Sequence, residues 1–72
     1  MRVIKQDLEL MLATKKAFVR QQRNSLLVSS DWTQVADAPV DQQAWAIYRQ
    51  ELRDVTSQET FPFEVTWPVA PE

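Results

Sequence analysis

A chain of 72 residues carries ten acidic and eight basic side chains, and no cysteine, histidine or glycine. That composition excludes disulfides, thiol and imidazole chemistry and nearly every zinc site, and without glycine there is no phosphate-cradling loop or dinucleotide fingerprint. The slightly negative balance is wrong for a general nucleic-acid binder, and no apolar run approaches the ~20 residues of a membrane span or the core of a secretion signal.

Helix formers without proline run from about residue 6 to 28, with Ile4, Leu8, Met11, Leu12, Phe18, Val19 and Leu26 recurring at three- and four-residue steps. One long helix is expected, its apolar stripe weakened at Lys15 and Gln22. Residues 29–40 read as a connector. Asp41, two residues after Pro39, reads as the N-cap of a second helix over 41–55. Within it Trp45, Tyr48, Leu52 and Val55 step by three, four and three, a narrow apolar seam. A polar link follows, and then the tail, 61–71. There Phe61, Phe63, Val65, Trp67 and Val69 alternate with Pro62, Glu64, Thr66, Pro68 and Ala70. On an extended chain this alternation builds one aromatic ridge, and the prolines confine it to an edge strand or a polyproline-like ribbon.

The expected fold is therefore a single small domain, mainly α. It is an antiparallel helical hairpin with a long first and a shorter second helix, and an extended aromatic, proline-rich C-terminal tail. Trp32, Trp45 and Trp67, one in each piece, are placed to meet at a common centre. A core this small rarely contributes more than ~3–5 kcal/mol. Ile4, Leu8, Met11 and Leu12 lie beyond the reach of the second helix, so they are expected to pair with a second copy or with another protein.

The polar residues offer little reactive chemistry. Glu51 and Asp54 have a helical i, i+3 spacing, but they share a turn with Arg49 and Arg53 and read as a charged helix surface. No serine has a lysine base in a recognisable motif. The chain reads as neither an enzyme nor a holder of cofactors or metals. Lys15, Lys16, Arg20 and Arg23 read as a solvated helix face. A more specific set gathers where the hairpin opens: Arg20, Arg23 and Asn24 late in the first helix, Asp31, Trp32, Thr33 and Gln34 at its exit, and Tyr48, Arg49, Gln50, Arg53 and Asp54 in the second. Arginine forks and carboxylates placed there can clamp the helices to the connector, with Arg23 or Arg53 expected on Asp31 or Asp54. The competing reading is a partner-binding rim. Trp32, Trp45, Phe61, Phe63, Val65 and Trp67 read first as core and second as anchors for a partner.

Taken in order, Arg23-Asn24-Ser25-Leu26-Leu27, Ser30-Asp31-Trp32-Thr33-Gln34, Asp37-Ala38-Pro39-Val40, the run Ala44 to Asp54, Phe61-Pro62 and Val65-Thr66-Trp67-Pro68 closely resemble the bacteriophage tail assembly chaperone family. The resemblance covers about Arg20 to Pro71 and leaves residues 1–19 outside, a region open to partner choice. Val35-Ala36 and Phe63-Glu64 depart from the pairs common in that family but keep its apolar and polar pattern. The resemblance implies an accessory protein of a tailed phage or prophage, binding a tail or tail-fibre protein non-covalently in the host bacterial cytoplasm. The alternative it leaves is a structural module retained in the tail, fibre or baseplate, and so found in the virion. No catalytic residue comes with it.

Overall fold

The computed structural model describes residues 4–71, and for residues 4–6 the backbone only. It is a helical hairpin: α1 spans Ile4–Ser29 and α2 spans Gln42–Arg53. A 3-10 turn, Asp31–Gln34, follows α1, and a second, Asp54–Ser57, follows α2. Among the described residues there is no strand. The long first helix, shorter second helix and trailing tail are those expected from the sequence.

Each helix boundary has a local cause. At the end of α1, Ser29 Oγ donates to the Leu26 carbonyl, and the Ser30 hydroxyl reaches the carbonyls of Leu26 and Leu27. Hydroxyls so placed compete with the helix ladder and end it. Thr33, fully buried, donates its hydroxyl to the Ser30 carbonyl at 2.6 Å and tightens the turn. At the start of α2, Asp41 Oδ1 accepts from the Ala44 amide at 3.1 Å, satisfying a donor that the helix cannot. Pro39 sits upstream, where a missing donor costs nothing. At the far end Arg53 lies in the last turn, where a cation suits the exposed carbonyls.

The core is thin. Val19, Tyr48, Leu52 and Val55 are its buried apolar members, joined by Ser30, Thr33 and Pro62. Val19 is also the first buried residue among the side chains of α1 that are described: from Asp7 to Phe18 only Leu12 and Lys16 are even half-buried. The amino-terminal half of α1 therefore projects beyond the hairpin. The molecule measures 61 × 19 × 15 Å with a radius of gyration of 16.0 Å, against roughly 11 Å for a compact domain of this length.

The tail needs one correction. The period-two reading puts Phe61, Phe63, Val65, Trp67 and Val69 on one side of an extended chain. In the structure the chain turns at Thr60–Glu64 instead. The amides of Phe63 and Glu64 both donate to the Thr60 carbonyl, and Thr60 Oγ1 donates back to the Glu64 carbonyl. The Phe61–Pro62 peptide is cis. A turn breaks the alternation, so Pro62 is buried and Phe63 stays 64% exposed. Alternation resumes afterwards, with Val65 and Trp67 half-buried and Thr66 exposed. It lapses again at Pro68, half-buried like Trp67, and Val69 is 89% exposed.

Candidate functional site

Two surfaces emerge, one closed on itself and one open. The closed one is the clamp at the hairpin's end. Arg49 Nη1 donates to the Leu27 carbonyl at 2.6 Å and to Ser30 Oγ at 2.8 Å, while Nη2 donates to Asp31 Oδ1 at 2.7 Å. The last turn of α1 contains no basic residue of its own. Arg49, supplied by α2, caps those carbonyls and places its charge where the helix dipole is negative. Its side chain is largely buried, at 15% exposure, whereas Asp31 is 63% exposed. The guanidinium thus belongs to the interior and the carboxylate to its rim.

This overturns the expected pairing. Arg23 reaches only Asn24 Oδ1, its sequence neighbour. Arg53 reaches only Gln50 Oε1, and Asp54 accepts from Gln50 Nε2. Both arginines therefore make local bonds along their own helices. Arg49 prevails because it follows Trp45 by four and precedes Leu52 by three, on the flank of the buried seam. Glutamines complete the connector: Gln34 Nε2 donates to the Gln42 carbonyl at 3.2 Å, and Gln42 Nε2 donates to the Val35 carbonyl. Thr33 and Gln34 belong to the polar set read from the sequence, whereas Ser30 and Gln42 lie outside it.

The aromatics divide. Trp32 and Trp45 lie 6.4 Å apart and tilted, and Tyr48 meets Trp45 edge-on at 5.5 Å. Edge and tilted arrangements place a ring's positive rim near a neighbour's negative face. Trp67 is not among them, so the expected centre of three tryptophans contains two. It sits instead beside α1, bounding a groove with Phe18, Gln22 and Leu26. Arg20 stacks its guanidinium over the Phe61 ring, 5.8 Å from its centre. Gln58 pins the tail with both ends of its amide, donating to the Thr66 carbonyl at 2.8 Å and accepting from the Thr66 amide at 2.9 Å.

The open surface runs along α1. Leu8, Met11 and Phe18, at steps of three and seven, share a face and are 54%, 44% and 59% exposed. Phe63 extends this face across the groove that Phe18, Val65 and Trp67 bound. Ile4 would continue it, but its side chain lies outside the described residues. No described helix is long and apolar enough to cross a membrane.

A hairpin closed by its own arginine, beside an exposed apolar track, defines a small helical protein with one face left open. A family model described as phage tail assembly chaperone protein matches residues 16–72, and the chain belongs to that family. The match takes in the clamp, the aromatic pair and the tail, and begins after Leu8 and Met11. No curated protein and no solved structure matches the chain.

Proposed function

We propose that the protein holds an apolar segment of a phage tail or tail-fibre protein on the track formed by Leu8, Met11, Phe18 and Phe63 until the tail assembles. It works by non-covalent contact in the host cytoplasm and leaves before the particle matures. Family membership supports assembly chaperoning in general, and the exposed track carries the finer reading. The chain exposes 5511 Å², against roughly 4,600 Å² for a compact monomer of its mass. The surplus, on the order of 900 Å², is close to the ~800 Å² that one partner contributes to a standard interface.

The test uses a phage lacking the gene, complemented in trans. Wild type restores tailed particles under the electron microscope. Leu8→Gln with Met11→Gln, expected to fold with an unchanged melting temperature because both sites are exposed, does not restore them. Full complementation by the double variant refutes the assignment of the track. Mass spectrometry of purified virions decides the fate of the protein: a fixed stoichiometry in the particle refutes release and makes it a structural module.

A further inference from the structure

The free half of α1 carries charge as well as apolar surface. Asp7 and Lys15 are both exposed, and with Leu10, Met11 and Thr14 they line one face of the helix. They stand four residues either side of Met11, about 40° to each side of it at 3.6 residues per turn. The other charges between Asp7 and Phe18 are Glu9 and Lys16, roughly 160° and 140° round from Met11 and so off that face. Within the chain Asp7 and Lys15 go unanswered, because among the described residues the ion pair is Arg49–Asp31. Leu8, Met11 and Phe18 supply the exposed apolar part of the surface.

We propose that this face pairs with the same face of a second copy, the two α1 helices running antiparallel with Met11 at the twofold axis. The pattern is its own complement. Antiparallel overlap centred on Met11 brings residue 7 of each copy level with residue 15 of the other, so Asp7 meets Lys15 twice. It also sets Met11 on Met11 and lays Leu8 beside the alkyl stem of the other copy's Lys15. Parallel overlap sets Asp7 against Asp7 and Lys15 against Lys15, where like charges repel. The antiparallel overlap runs over residues 4–18, about 22 Å at 1.5 Å per residue. Everything from Val19 onward lies outside it, so the two hairpin bodies sit at opposite ends. Exposed ion pairs fix register more than affinity, and a seam built on Leu8, Met11 and Phe18 is short. The dimer therefore dissociates on dilution and leaves the face open. The proposed client competes with the second copy for that face, so self-pairing covers the apolar surface while no client is present.

Sedimentation equilibrium of the full chain over a rising concentration series tests the pairing. The average mass should climb from that of one chain towards that of two. Asp7→Lys and Lys15→Asp should each weaken association about tenfold or more. The double reversal, and an equimolar mixture of the two single variants, should restore it. Asp7 also lies in the first turn of α1, where an acid suits the helix dipole. The double reversal keeps that cost, so its recovery reports the pairing and not the helix. The chain has no cysteine, so single replacements under a mild oxidant read the register. Met11→Cys should form a covalent dimer. Phe18→Cys should not, because its two copies stand about 21 Å apart along the seam. A monomer at every concentration up to about 1 mM, association indifferent to the reversals, or equal cross-linking at both sites overturns the proposal. The client reading is tested separately. If the chain stays monomeric while complementation still needs Leu8 and Met11, the pairing is wrong and the client surface stands. If the chain dimerises and the Leu8→Gln, Met11→Gln variant complements fully, the pairing stands and the client surface lies elsewhere.

Discussion

Replacing Arg49 by alanine separates the two roles its guanidinium could have. One is an ion pair with Asp31 and the other a cap on the carbonyl end of α1. Asp31 is 63% exposed, and an ion pair with so exposed a partner contributes at most ~1 kcal/mol. The bonds to the Leu27 carbonyl and Ser30 Oγ are short and lie against buried Ser30. Charge-assisted bonds in such a setting contribute ~1.5–3 kcal/mol. The lost cap is partly made good, because the Leu27 carbonyl also accepts from the Ser30 amide and hydroxyl. Arg49→Ala should therefore cost about 2–3 kcal/mol. In a domain of this size that lowers the melting temperature by about 10–20 °C, and it removes about two-fifths or more of a stability of ~3–5 kcal/mol. Asp31→Ala should cost no more than ~1 kcal/mol, and high salt should erase most of that. Arg49→Lys keeps the charge but puts every donor on one nitrogen, which cannot span the acceptors that Nη1 and Nη2 reach separately, so it should fall between. Urea unfolding followed by far-ultraviolet circular dichroism measures all three. Equal costs for Arg49→Ala and Asp31→Ala would mean that the ion pair, not the cap, holds the hairpin.

Arg23→Ala and Arg53→Ala should each stay within ~0.5 kcal/mol of the parent in the same assay, since each bonds only along its own helix. Trp67→Ala should cost about half of the ~3–5 kcal/mol lost with a fully buried tryptophan, while Thr66→Ala is silent because that side chain faces solvent. Comparable losses at both would show that the tail does not present Trp67 to α1. Gln58→Ala should cost ~1 kcal/mol and free the tail, visible as narrowed amide lines from Val65 to Ala70; unchanged line widths would assign the tail's position to Trp67 alone.

The hairpin was legible because its signals are local. A glycine-free run of helix formers, a proline, an aspartate two residues later and a new apolar seam each act within a few residues of the chain. The clamp was legible only as chemistry. Which arginine meets Asp31 depends on how far α2 has run when it passes the end of α1, and that is a property of two helices together. Counting from the seam would have favoured Arg49, three before Leu52 and four after Trp45, over Arg53, which sits further round the helix. The tail misled for a different reason. Alternating residue types describe an extended chain only where the backbone stays extended, and the Thr60 carbonyl and hydroxyl hold a turn across the first four residues of the pattern. Nothing in the residue types marks that turn except Pro62, which an edge strand tolerates equally well.

The free half of α1 raises a last question, namely what keeps it helical. An isolated helix of about a dozen residues is marginal in water, and from Asp7 to Phe18 the chain buries no side chain to compensate. Its helicity must propagate from the anchored half, where Val19 enters the core and Arg49 caps the end. Opening should then be graded. Amides near Leu10 need only local fraying to exchange, whereas those after Val19 require the hairpin to come apart. Native-state hydrogen exchange of the full chain should show protection rising steeply between Thr14 and Arg23, by tenfold or more. A client docked on Leu8, Met11 and Phe18 adds burial where there was none, so it should raise protection on the amino-terminal side far more than beyond Val19. Uniform protection along α1 in the client-free monomer would mean that the face is already covered, and the reading of it as an open track would be lost.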